Sequence, residues 1–371
     1  MISHCLACAE SAKSQGKPIV GIMCEYTPRE LIMAAGAVPV CLCGGSQDTI
    51  AAAERDLPAN LCPLIKSTYG YHILERNPFL QMADLIVAET TCDGKKKMFE
   101  LMGKTRPMYV LQLPHKENSR QAEIYWTEQL ILFKEHLESV FKTQITAGDL
   151  REAIRRMNRE RQLRRSLAEL MKRDVPPFTG CELLDMKSII SGMDSALEQL
   201  QHAVDHFSSV PAPEENADRV RVLLTGVPTV HGAERIIELI ENCGGIVVCQ
   251  ENCTGLKPIA EDVDENAPDP MKAIASKYVH LPCSIMTPNQ GRLDRIEELA
   301  RDYNTDCIID LVWQACLTYD VESTRIRELS QKNLNLPYLR IETDYSPSDT
   351  ARIRVRIEAL LESASGRKTL V

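Results

Sequence analysis

The chain of 371 residues has no apolar stretch long enough to cross a bilayer. Its longest apolar run, residues 31–43, has 13 residues and is broken by Pro39, whereas a spanning helix needs about 20. An excess of positive charge is also missing. Lys plus Arg number 43 and Asp plus Glu 52, a net −9 that argues against a nucleic-acid partner. The first residues, Met-Ile-Ser-His-Cys-Leu-Ala-Cys, carry no basic segment followed by an apolar one, so no secretory signal is expected and the location expected is cytoplasmic.

Several catalytic signatures are absent as well. No Gly-x-x-x-x-Gly-Lys-Ser/Thr occurs: Gly103-Lys104-Thr105 looks like its tail, but Met98 stands where the first glycine belongs. The chain is therefore not expected to hydrolyse ATP itself. There is no Gly-x-Gly-x-x-Gly, no His-Glu-x-x-His and no Gly-x-Ser-x-Gly. Dinucleotide-binding, zinc-hydrolase and serine-esterase readings lose their main support.

What remains is an ordinary globular composition, 44% apolar and 26% charged, which excludes collagen-like, coiled-coil and disordered chains. Short β-branched runs alternate with helical patterns. Strands are expected at 18–23, 38–43, 84–88 and 108–113, with helices at 28–36 and 93–102 between them. The alternation restarts with strands at 220–225, 245–249, 307–311 and 337–341, and helices near 231–242, 270–279, 290–302, 320–333 and 347–363. Such alternation implies crossover units and parallel sheets. Residues 119–207 read as helical almost throughout, and 208–218, acidic with two prolines, as a linker. Arg151, Arg155, Arg156, Arg159, Arg161, Arg164 and Arg165 share one of those helices with Glu152, Glu160 and Glu169, a pattern expected of a solvated or subunit-facing surface. The expected fold is α/β: two doubly wound, flavodoxin-like (Rossmann-like) domains at 1–118 and 220–371. A helical segment, 119–207, and a linker, 208–219, lie between them.

The abundant residue is cysteine, 14 in all. In a reducing compartment this points to metal or redox chemistry more than to disulfides, although some thiols must simply pack. Cys5-x-x-Cys8 sits at a terminus expected to fray. Cys181, Cys243 and Cys307 lie in apolar patterns and read as packing, and Cys41 and Cys43 share one face of a strand. Cys24, Cys62, Cys92, Cys253, Cys283 and Cys316 instead follow strands or adjoin Pro or Gly turns, positions that project side chains into a crevice. The two halves echo one another weakly here. A strand runs into a cysteine at Cys92 and again at Cys316, 30 residues after Cys62 and 33 after Cys283. Thiolates are the usual ligands of iron–sulfur clusters, while zinc would use only four of the six.

Several segments carry a resemblance to a known family. They are Pro28-Arg-Glu-Leu-Ile-Met-Ala-Ala-Gly36, Leu61-Cys-Pro-Leu-Ile-Lys-Ser67, Glu89-Thr-Thr-Cys-Asp-Gly-Lys-Lys-Lys-Met98 and Gln112-Leu-Pro114. Glu251-Asn-Cys-Thr-Gly255, Trp313-Gln-Ala-Cys316 and Ile341-Glu-Thr-Asp-Tyr-Ser346 complete the set. The chain resembles the 2-hydroxyacyl-CoA dehydratase and benzoyl-CoA reductase subunits from about residue 21 to 362. The resemblance implies that Cys62, Cys92 and Cys316 hold one 4Fe–4S cluster. Cys24, Cys253 and Cys283 are extra, and with them the chain looks like the double-cubane cluster branch, whose cofactor is an 8Fe–9S cluster with three thiolates per cubane. Cys43 also fits that pattern, so Cys24 and Cys43 compete as the sixth ligand.

The resemblance further implies low-potential electrons from a separate ATP-hydrolysing iron–sulfur reductase, transient docking, a homodimer and a small, hard-to-reduce substrate. Two alternatives stand beside it: a single-cluster subunit of a 2-hydroxyacyl-CoA dehydratase or acyl-CoA reductase, and an electron-storage protein without its own substrate. Glu25, Lys66 and His115 are the catalytic candidates, with Asp93, Lys95, Tyr345 and His231 as further groups around the cluster or in proton relay.

Overall fold

The computed structural model describes residues 2–229 and 234–368. Eight strands build two four-stranded sheets. The first contains β1 (Ile19–Ile22), β2 (Val38–Cys41), β3 (Leu85–Glu89) and β4 (Met108–Leu111), in the order β2-β1-β3-β4. The second contains β5 (Val220–Gly226), β6 (Gly245–Gln250), β7 (Cys307–Trp313) and β8 (Tyr338–Thr343), in the matching order β6-β5-β7-β8. Every pairing is parallel. This is the doubly wound, flavodoxin-like arrangement, and its chain reversals fall between β1 and β3 and between β5 and β7, where such sheets bind ligands beyond their carboxyl ends.

The strands follow from composition. Every residue of β5, β6 and β7 is buried, as parallel strands covered by helices on both faces require. Helix starts are equally explicit. Asp269 accepts from the Met271 and Lys272 amides ahead of Pro270–Val279, and Thr146 and Asp149 form a reciprocal cap for Ala147–Leu170.

The helices between the sheets are not a simple connector. Trp126, Leu130, Phe133 and Leu137 form a buried stripe along Arg120–Phe141, and this helix packs on Pro270–Val279 of the second half. Ala147–Leu170 packs on Arg29–Ala34 of the first half and also on Pro270–Val279. Ile190 bridges Val40 of β2, so residues near 190 return to the first sheet.

Three expectations need correction. The amino terminus is an ordered helix, Ile2–Ser14, with Cys5 and Ala9 buried against the first sheet's core, rather than a frayed end. The arginines of Ala147–Leu170 are not mainly a solvated face. Arg161 is buried, Arg165 pairs with Asp262 at 2.8 Å, and Arg151 donates to the carbonyls of Glu265, Ala267 and Pro268. The helix lies against loops whose carbonyls need donors, and arginine supplies several per side chain; only Arg155 and Arg159 stay exposed. The helix expected at 320–333 starts earlier, at Leu317, ends at Glu328, and runs on into a π turn at Leu329–Asn333. His231 lies outside the described residues. Among the described residues, no helix is long and apolar enough to cross a membrane.

Candidate functional site

Thiols gather where the two sheets point their carboxyl ends toward each other. Cys24 follows β1, Cys43 follows β2, Cys92 follows β3, Cys253 follows β6 and Cys316 follows β7. Three of the thiols share a backbone position. Cys62, Cys92 and Cys316 are each the residue that opens a helix: Pro63–Ile73, Asp93–Met102 and Leu317–Glu328. Cys92 Sγ accepts from the Lys95 amide at 3.5 Å. A helix amino terminus offers unpaired N–H groups and about half a positive charge, which favours a thiolate.

Cys62 and Cys316 adjoin, although one belongs to each half. Sharing a proton with Cys316 holds the Cys62 pKa below the usual thiol value, and the same contact with burial drives Cys316 well above it. Cys92 is the third charge near Cys62. These three form one group.

Cys24, Cys253 and Cys283 form the second, also drawn from both halves. Burial pushes the Cys24 thiol up, helped by Glu89 and by the two other thiols and opposed by Lys95. Burial likewise pushes Cys253 up to about 11, against the pull of Lys257. Cys283 Sγ lies 3.9 Å from the Tyr319 hydroxyl. Lys95, half-buried, is near Cys24, Cys43 and Cys92 and so stands between the groups.

Cys41 and Cys43 make a third pair, with Cys24 and Lys95 near Cys43. Cys43 Sγ lies 3.0 Å from the Met23 carbonyl oxygen, and the adjoining Cys43 thiol is the main reason Cys41 is pushed down to about 6. A cavity of about 40 Å³ opens beside this pair, lined among others by Glu25, Arg29, Arg164 and Lys187.

Among the described residues, no three His, Cys, Asp or Glu side chains crowd closely enough to hold one metal ion. The thiol groups are more open than a tetrahedral zinc site, whose sulfurs all lie about 2.3 Å from one point. A cluster takes its thiolates on separate irons and needs the wider spacing. Buried polar atoms without partners mark the same place: Tyr345 Oη, Trp313 Nε1, Thr91 Oγ1 and Thr254 Oγ1. Tyr345 lies near Cys62 and Cys43, Trp313 ends the strand before Cys316, and the two threonines adjoin Cys92 and Cys253. Buried donors of this kind need acceptors, and cluster sulfurs are acceptors. Gly45 leaves room for Tyr345, since a Cβ there would fall 1.9 Å from its ring. The residues present fit an iron–sulfur cluster.

The other candidates divide. Glu25 is buried, 2.8 Å from Arg29 and 3.9 Å from Lys187. Burial alone would raise its pKa, but Arg29 and Lys187 outweigh that and bring it to about 2, so it stays ionised and holds the two cations in place. Lys66 donates to Glu54 and to the Ala59 carbonyl, both at 2.7 Å, away from the thiols. His115 is exposed, and its carbonyl accepts from the Thr287 amide at 2.8 Å. Asp93 is exposed and pairs with Lys96.

Sequence reasoning missed the buried polar network behind Cys253 and Cys283. Arg292 is fully buried between Glu251 and Glu322, and Lys257 reaches Glu251 at 3.5 Å and the Tyr319 hydroxyl at 3.2 Å. Tyr319 carried a signal, because it stands three residues past Cys316 in the first turn of a helix and therefore near that helix's amino end.

The chain is similar to known proteins along nearly its whole length. Residues 24–364 match the family described as 2-hydroxyglutaryl-CoA dehydratase, D-component. The protein YjiM of Escherichia coli (strain K12), whose name describes a dehydratase subunit, is 37% identical over 360 residues, covering 94% of this chain and 92% of that one. The beta subunit of the (R)-2-hydroxyglutaryl-CoA dehydratase of Acidaminococcus fermentans is 21% identical, with 95% and 93% covered. One of the benzoyl-CoA reductase subunits of Thauera aromatica is 22% identical over 71% of this chain and 68% of its own. With its paired parallel sheets and the match running nearly end to end, the chain belongs to the 2-hydroxyglutaryl-CoA dehydratase D-component family.

Proposed function

We propose that this chain is an iron–sulfur oxidoreductase component that carries a double-cubane 8Fe–9S cluster. The ligands are Cys62, Cys92 and Cys316 for one cubane and Cys24, Cys253 and Cys283 for the other. The observation that carries this reading is the sorting of six thiols, from both halves of the chain, into two groups of three. Cys24 is preferred over Cys43 because its thiol neighbours are Cys253 and Cys283, whereas the strongest thiol neighbour of Cys43 is Cys41. When bound, such a cluster supplies electrons at low potential.

The chain's own residues hold and surround it. Cys62, Cys92 and Cys316 each stand at a helix amino terminus with its unpaired N–H groups; Lys95 lies by Cys24, and Lys257 by Cys253 and Cys283. Tyr345, Trp313, Thr91 and Thr254 present donors to its sulfurs. Glu25 keeps Arg29 and Lys187 on the wall of the cavity beside Cys43. At about 40 Å³ that cavity suits a small molecule.

The chain lacks a P-loop, so a separate ATP-hydrolysing iron–sulfur reductase supplies the electrons by transient docking. Ile124, Ile131, Leu132 and Val140 are exposed on Arg120–Phe141, which supports a homodimer through these helices. The names of the relatives favour a second reading, a single-cluster dehydratase subunit acting on a CoA thioester. Reduction assays separate the two. With an ATP-hydrolysing iron–sulfur reductase and ATP, the anaerobic protein should become reduced and turn over a small unsaturated molecule. Turnover of a 2-hydroxyacyl-CoA thioester alone would overturn the double-cubane reading.

A further inference from the structure

Tyr319 occupies an unusual place. It sits in the first turn of the helix that Cys316 opens, yet its hydroxyl reaches Cys283, a thiol of the other group, at 3.9 Å. Lys257 Nζ donates to the same hydroxyl at 3.2 Å. An ammonium can only donate, so it takes a lone pair of the hydroxyl and leaves its hydrogen free for another acceptor.

The surroundings hold the ring in this pose. The Arg292 guanidinium lies 4.9 Å from the ring centroid and the Lys257 ammonium 5.4 Å. Arg292 is itself fixed by Glu251, Glu322 and Thr225, and Lys257 by Glu251. All of these side chains are buried. Around Cys62, Cys92 and Cys316 the helix amino termini and the Tyr345 hydroxyl take that part, with no buried arginine behind the ring among the described residues.

We propose that Tyr319, positioned by Lys257 and Arg292, donates a hydrogen bond to the Cys283 sulfur and thereby raises the reduction potential of the cluster half held by Cys24, Cys253 and Cys283. The inference rests on the proposed cluster. A hydrogen bond to a ligating sulfur stabilises the added negative charge of the reduced state, so its loss moves the potential down. Tyr319 is a positioning residue in this respect, acting on the cluster through Cys283. Because it is delivered by the helix beginning at Cys316, one helix serves both halves.

The test is a redox titration of the anaerobically purified, cluster-loaded protein, followed by electron paramagnetic resonance, on wild type, Tyr319→Phe and Lys257→Gln. Iron per chain is measured on each. Tyr319→Phe should keep its iron and move one of the two cluster signals to more negative potential while the other stays in place. Lys257→Gln, which releases the hydroxyl but leaves it present, should shift the same signal in the same direction. Unchanged potentials in both iron-replete variants would overturn the proposal, as would equal shifts of both signals. If Tyr319→Phe loses its iron, Tyr319→Met, which also lacks the hydroxyl and leaves the Lys257 charge in place, decides instead. A wild type that binds one cluster or none would instead overturn the double-cubane reading, and this inference with it.

Discussion

The Tyr278 hydroxyl donates to Glu30 Oε2 at 2.8 Å, joining a helix of the second half to a helix of the first. Arg161 meets the other Glu30 oxygen from a third helix. Nearby, the Tyr26 hydroxyl donates to the Leu281 carbonyl at 2.9 Å. Tyr26 and Leu281 stand two residues from Cys24 and from Cys283, so the contacts that lock the halves together also set the separation of two thiols of one group.

Arg161→Met should therefore destabilise the chain strongly. It leaves the Glu30 carboxylate buried without its cation, and breaking such a pair costs about 3–5 kcal/mol. The urea midpoint measures it. A midpoint equal to wild type would mean that Glu30 is neutral or rehydrated in the fold.

Serine substitutions should sort the cysteines. Replacing Cys92 or Cys316 should remove about half of the iron, and so should replacing Cys253 or Cys283, since each group holds one cubane. Cys24→Ser should lose iron and Cys43→Ser should keep it. Iron analysis of anaerobic samples checks this, and the reverse result for the last two would make Cys43 the sixth ligand.

Asp310 gives a pH dependence. It is buried on β7 and accepts from Ser323 at 2.6 Å and Tyr338 at 2.9 Å, and burial raises its pKa despite Arg292 and those bonds. The folded state thus holds this proton more tightly than the unfolded chain. Its contribution is fully present below the ordinary aspartate value of about 3.9 and is lost as pH rises through the raised folded value. Asp310→Asn should flatten that decline in urea midpoints as pH rises above about 4. Parallel wild-type and variant curves would contradict it.

Gly45→Ala should force the Tyr345 ring away, because the new Cβ would lie 1.9 Å from its Cζ. Overpacking of this kind costs about 1–3 kcal/mol. In Gly45→Ala/Tyr345→Ala the two changes should be non-additive, the methyl being tolerated once the ring is gone. A double-mutant cycle in urea checks this; additivity would place the two residues out of contact.

Much of the fold was legible because parallel strands covered on both faces are nearly continuous apolar runs. The observed helices Asp93–Met102, Pro270–Val279 and Gln290–Asp302 coincide with their expected bounds, each set by a Pro, a capping residue or a following strand. Strand-end cysteines were legible for the same reason, since a turn after a parallel strand opens toward the switch point. Partnership across the halves was not. Nothing local to Arg161 or Lys257 says that it is buried, and each looks like a surface residue until its acceptors arrive from other segments. Glu25 and Lys66 stood near cysteines in sequence, yet their charges are spent on Arg29 and Glu54.

The most direct measurement is iron and acid-labile sulfide per chain on anaerobically purified protein. Two thiol triads require about eight irons and nine sulfides. About four of each would contradict the double cubane and leave one triad to packing, and no iron after anaerobic reconstitution would contradict the cluster altogether.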